Sequence, residues 1–192
     1  MTKTRLEAFS DGVVAILITI MVLEFKVPHG SDWAALAPLL PKFLTYVMSF
    51  VFLGIYWTNH HHLIHAMREV TGGILWANLH LLFWLSLVPF VTAWMGENHR
   101  ESIPTAVYGI VLLCDAVAYT ILVRTILAHE GPKSTLRAAI GNDRKGNVSL
   151  VVYLIAVPLA FVNSVLALAL YVSVAISWLI PDRRIERHVS RT

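Results

Sequence analysis

The side chains able to do chemistry in this sequence are the few polar ones set inside long apolar runs. Arg5, Phe9, Ser10 and Asp11 open the first run and Glu24 closes it; Asn59, His60, His61, His62 and His65 crowd the end of the second. His80 lies in the third run, and Cys114, Asp115 and Arg124 lie in the fourth. The histidine cluster invites a metal reading, yet no cysteine or carboxylate accompanies it at a familiar ligand spacing. It is expected to be an interfacial helix end, or a sensor of pH through imidazoles that change charge near neutrality. Neither a metal nor a cofactor is expected. With one cysteine there is no disulfide framework. No nucleophile stands with a base and an orienting group at a recognisable spacing, so an enzyme is not indicated. An ionisable residue at membrane depth is expensive and faces protein or water, not lipid. Asp11, His80 and Asp115 therefore suit either internal packing or a proton relay.

The elements that carry these residues are membrane spans. The chain has 192 residues, is 57% hydrophobic and 14% charged, and has a mean hydropathy of +0.66. A soluble domain carries about a quarter charged residues, and this much apolar surface would leave large exposed patches in water. The net charge of +3 sits mostly in loops and tails. That is a topology signal and not a nucleic-acid footprint, so no nucleic-acid partner is expected.

Spanning a bilayer takes about 20 helical residues. Candidate helices run over about residues 6–26, 41–65, 73–95 and 104–128, within a single domain covering 1–192. The remaining stretch, Val148 to Ile180, would make one helix about 50 Å long, too long for a core about 30 Å thick. Two short helices, about 148–162 and 164–180, turning near Asn163 and Ser164, resolve the mismatch. Charge supports that count. Lys3 and Arg5 precede the first span, Lys133, Arg137, Arg144 and Lys145 follow the fourth, and Arg183, Arg184, Arg187 and Arg191 follow the last. The positive-inside rule puts all three clusters in the cytoplasm, which requires an even number of spans. The expected fold is an all-α integral membrane protein of six transmembrane helices with both termini cytoplasmic.

Arg5-x-x-x-Phe9-Ser10-Asp11 at the front of a first transmembrane helix resembles the signature of the transmembrane-protein-175 family of potassium channels. The resemblance extends to Trp57 with its His-rich helix end, to Leu87-Val88-Pro89-Phe90, and to Trp178-Leu179-Ile180-Pro181-Asp182-Arg183. A single repeat of this length implies the prokaryotic form, in the cell membrane, assembled with itself as a homotetramer. The family lacks the TVGYG filter of ordinary potassium channels, and so does this sequence. What the resemblance implies is passive, moderately selective potassium permeation through a central pore lined by the first helix.

At 100° per residue, Gly12, Ile16, Thr19 and Leu23 share a stripe about 60° wide. In the family, large apolar residues on such a stripe form the constriction, and Ile16, Thr19 and Leu23 occupy the matching positions. Four copies of Ile16 would make a hydrophobic ring able to close by dewetting, and four Thr19 hydroxyls would offer oxygen to a partly dehydrated cation. Glu24 is either a carboxylate at the pore mouth or a solvated helix end. Asp11 lies about 140° around the helix from Ile16 and is expected to point into the subunit. Arg5, Ser10 and Asp11 are then expected to bond to neighbouring helices, with Trp57, Asn59, His60 and His80 as candidate partners. The competing role for Asp11 is a cation ligand in the pore. A proton-coupled secondary transporter is the alternative function, and the lack of a visible internal repeat speaks against it.

Overall fold

A computed structural model describes residues 2–131, 136–137 and 143–179. Helices account for almost all of them. Helix α1, Lys3–Ile20, starts at Thr2, whose hydroxyl accepts from the Arg5 amide as an N-cap. It tightens into a 3₁₀ turn over Met21–Glu24. A second 3₁₀ segment, Trp33–Leu39, is capped by the Asp32 carboxylate and leads into α2, Leu40–Ala66. Then follow α3, Gly72–Leu85, and α4, Val88–Glu97. The long α5 runs Ser102–Glu130, and α6, Arg144–Leu159, and α7, Ser164–Leu179, complete the described fold.

Four stretches are long and apolar enough to cross a bilayer: Lys3–Glu24, Trp33–Ala66, Gly72–Glu97 and Ser102–Glu130. Helices α6 and α7 are shorter, and the chain reverses between them where Asn163 caps α7 by accepting from the amides of Val165 and Leu166. With α3 and α4 counted together, the described residues hold six helices, which is the expected architecture. The third crossing differs from a continuous helix. It breaks at Ser86 and Leu87, because Pro89 stands in the first turn of α4 and cannot extend the ladder from α3. Lys133 and the basic cluster Arg183, Arg184, Arg187 and Arg191 lie outside the described residues.

The core is built around α5, which packs on α3, α4, α6 and α7. Leu112, Ala118, Leu122 and Ile126 are among its fully buried side chains. Small residues and hydroxyls bring the helices together, as expected where lipid gives no hydrophobic drive between them. The hydroxyls of Thr92, Ser49 and Tyr108 form a buried chain joining α4, α2 and α5, with steps of 2.7 and 2.9 Å. At Gly109 the Tyr171 hydroxyl of α7 occupies the space that a Cβ would fill. Helix α1 packs on α2, α3 and α4.

Gly109→Ala is expected to destabilise the detergent-solubilised protein by about 1–3 kcal/mol, the usual cost of overpacking, read as a lower melting temperature. Tyr171→Phe removes the nearest clashing atom, so the double variant should cost less than the two single variants together.

Candidate functional site

Helix α1 has two unlike faces. Leu6, Ser10, Val14, Leu17 and Met21 are buried against the rest of the subunit. These positions recur at intervals of three and four, which keeps them on one side of the helix. The stripe Gly12, Ile16, Thr19 and Leu23 lies about 150° away at 3.6 residues per turn. All four are exposed, with Ile16 at 62% and Leu23 at 76%. The Thr19 hydroxyl donates to the Ala15 carbonyl at 2.9 Å. The hydroxyl oxygen keeps its acceptor capacity. Glu24 is exposed beyond the stripe.

The buried face carries a polar tie. Ser10 Oγ donates to the Leu6 carbonyl at 2.9 Å and accepts from Asn78 Nδ2 at 3.0 Å. Asn78 Oδ1 lies 2.7 Å from His60 Nε2, so the ring nitrogen donates there. One asparagine thus joins α1, α2 and α3. Ser10, His60 and Asn78 are all buried, so each bond also removes an unmet polar group from the interior. A little further around α1, the Trp57 indole N–H donates to Asp11 Oδ1 at 2.9 Å. Asp11 therefore points at α2 and away from the Ile16 stripe.

Both ends of α1 are pinned as well. At the first turn, Lys3 Nζ donates to the carbonyls of His65 and Met67, capping the end of α2 where carbonyls lack helical partners. Glu7 pairs with His61 Nδ1 at 2.9 Å. At the far end, Lys42 on α2 donates to the Glu24 carbonyl at 3.2 Å and to Glu97 of α4 at 3.0 Å. Phe25 packs edge-on against Tyr46 beside it, with ring centroids 5.4 Å apart.

Of the expected partners, Trp57 and His60 join the tie. Asn59 instead donates to the Ile55 carbonyl of its own helix, and His80 accepts from Trp84 one turn along α3. Arg5 also departs from expectation. It is exposed, and its guanidinium bonds to none of the described residues. The reason is rotational: Arg5 precedes Ile16 by eleven residues, which places it only about 20° from Ile16 around the helix. It continues the exposed stripe toward the start of the chain and does not turn inward with Ser10. Phe9 is half exposed. Asn78 was not foreseen; its signal was a lone amide inside an apolar run, overshadowed by His80 two residues on. Among the described residues no group of three His, Cys, Asp or Glu could hold a metal ion.

Comparison with known proteins bears on what such a helix serves. The model of the family described as endosomal/lysosomal potassium channel TMEM175 matches residues 5–89. A potassium channel of Chryseobacterium sp. (strain P1-3) is 54% identical over 187 residues, 97% of each chain. The chain belongs to the TMEM175 family. A second relative, a potassium channel of Streptomyces collinus, is 36% identical over 86% of this chain and 85% of its own length. The crystal structure of a homologue of the lysosomal potassium-selective channel TMEM175 from Chamaesiphon minutus superposes with a TM-score of 0.80. That match covers 93% of this chain and 96% of the other at 28% identity. The matched region 5–89 holds the whole of the Ser10–Asn78–His60 tie and the Asp11–Trp57 bond.

Asn78→Ala leaves Ser10 and His60 buried without their shared partner, at about 1–3 kcal/mol for each group stranded. Thermal melting should show a large loss for Asn78→Ala. Trp57→Phe, at a half-exposed bond, should show a loss nearer 1 kcal/mol.

Proposed function

We propose that this chain is a potassium-permeable channel in which four copies surround a pore lined by α1. The observation carrying this reading is the division of α1: a polar, pinned face toward its own subunit and an exposed stripe of Gly12, Ile16, Thr19 and Leu23 on the other side. A helix tied down by buried hydrogen bonds can hold a second face at a fixed distance from a symmetry axis. The names of the relatives supply the ion. In this reading four Ile16 side chains make the hydrophobic constriction and Thr19 hydroxyls offer oxygens beside it. Side chains replace hydration water less completely than rings of backbone carbonyls do, so selectivity is moderate. Potassium moves passively, with no bond made or broken, no cofactor, and no residue assigned a catalytic part. The protein sits in the cell membrane with both termini cytoplasmic, which places Arg5 at the cytoplasmic mouth and Glu24 at the outer one.

A proton-coupled transporter is less well supported. A relay needs its groups within reach of one another. Asp11 is bonded to Trp57, His80 to Trp84, and Asp115 is buried in another part of the bundle.

The test is purified protein in liposomes under a potassium gradient. Wild-type flux is expected to run without a proton gradient. Ile16→Asn is expected to raise flux and weaken discrimination against sodium, since a polar ring no longer dewets. Flux that stops when the proton gradient is removed overturns the channel reading. An Ile16→Asn variant with unchanged flux and selectivity overturns the placement of the constriction.

A further inference from the structure

A cavity of about 40 Å³ lies between α2, α5 and α6, with Trp178 of α7 at its side. One water needs about 10–15 Å³ of such space, so there is room for more than one. The α6 wall runs from Asp143 and Gly146 through Ser149 to Tyr153. Steps of three and four keep these positions on one face of the helix. That stretch is about 15 Å long at 1.5 Å per residue. The cavity is therefore tall for its volume, and narrow.

Its two ends carry different unmet groups. At the deep end Tyr153 is 2% exposed, and its hydroxyl bonds to none of the described residues. A buried hydroxyl without a partner is costly. It differs from the Asp115 carboxyl, which is also partnerless but sealed from any space; the Tyr153 hydroxyl keeps a little surface, and it opens on the cavity. Tyr56 of α2 adds a second unbonded hydroxyl to the lining. At the other end Asp143 Oδ1 accepts from the Gly146 amide at 2.9 Å, which fixes the carboxylate against the start of α6. Its Oδ2 bonds to none of the described residues. Asn59 spends its amide nitrogen on the Ile55 carbonyl and leaves Oδ1 unbonded. Between the ends the wall is apolar or aromatic, with Phe52, Ile55, Tyr119 and Trp178. None of the described residues lining the cavity is basic. Lys145, outside the lining, holds its ammonium 6.0 Å from the centre of the Trp178 ring, so this aromatic surface already carries one cation.

The geometry points to a binding site, separate from the α1 stripe, for a straight-chain amine that carries a hydroxyl at its far end. The ammonium pairs with Asp143 Oδ2 beside Asn59 Oδ1. The methylene chain lies along Phe52, Ile55 and Trp178, and the hydroxyl meets those of Tyr153 and Tyr56. A carboxylate and aromatic faces both favour an ammonium over an anion. The deep end offers hydroxyls and no accessible carboxylate, so it suits a neutral polar group and not a second charge. The narrowness of the cavity excludes branched and quaternary amines. The ligand stabilises the fold by mass action, since only the folded chain assembles all three walls.

The experiment titrates the purified, detergent-solubilised full-length protein with aminopentanol, pentylamine and pentanoate. Binding is read by saturation-transfer NMR and by the rise in melting temperature. Aminopentanol is expected to bind several-fold more tightly than pentylamine, which cannot reach Tyr153 with a polar group, and pentanoate is expected not to bind. Asp143→Asn keeps a capping side chain at the start of α6 and should weaken aminopentanol about tenfold, the worth of one charge-assisted bond. Tyr153→Phe should weaken aminopentanol to the level of pentylamine and leave pentylamine unchanged. Pentanoate binding as tightly as aminopentanol overturns the inference, and so does an affinity for aminopentanol unchanged in both variants. If neither variant folds, the wild-type series still decides, because equal binding of the three probes rules the site out.

Discussion

Within a bilayer a polar side chain must find its partner inside the protein, and the bond from Asn78 to Ser10 and His60 is the case on which this subunit depends. Lipid is as apolar as leucine, so nothing hydrophobic forces α1 onto its neighbours. What fixes α1 in rotation is that Ser10 has a donor to meet on one side only. Once Ser10 is turned toward Asn78, the helical period leaves no freedom in where Ile16, Thr19 and Leu23 point. The buried tie and the exposed stripe are two consequences of one rotational setting.

The remaining contacts of α1 are arranged along its length in a way that complements this. The Lys3 and Glu7 contacts hold the first turn, Trp57 holds Asp11, and Lys42 with Phe25 hold the last turn. Between them the buried side is apolar apart from Ser10. A helix held at intervals keeps its outer face in register over its whole length, which a single central bond would not ensure.

Much of the architecture was legible because hydropathy and basic clusters act over whole segments. The turn at Asn163 and Ser164 was visible as a length mismatch, and the opposition of Asp11 to Ile16 follows from the helical period alone. The break at Ser86 and Leu87 was not visible, since the apolar run continues through it and a proline one turn later is compatible with a kink as well as with a new start. Partners were the least legible. His60 and Asn59 are adjacent and equally polar, yet they lie about 100° apart around α2, so only one can face Asn78. Arg5 illustrates a related limit: membership in a sequence signature says nothing about which way each member points. Asp115 could be recognised as buried, but not as partnerless, because that depends on every helix around α5.

The joint between α3 and α4 gives the third crossing a property the other long spans lack. Two rigid rods meeting at Ser86 and Leu87 can change their mutual tilt without breaking a helical ladder, while the hydroxyl chain through Thr92 keeps the outer rod on α2 and α5. Bilayers differ in thickness, and a span that cannot shorten must lean. Here the outer rod is also joined to the end of α1, because Lys42 bonds both Glu97 of α4 and the Glu24 carbonyl. A change in the lean of the outer rod therefore reaches the last turn of α1 through that lysine, while Asn78 holds Ser10 to the inner rod.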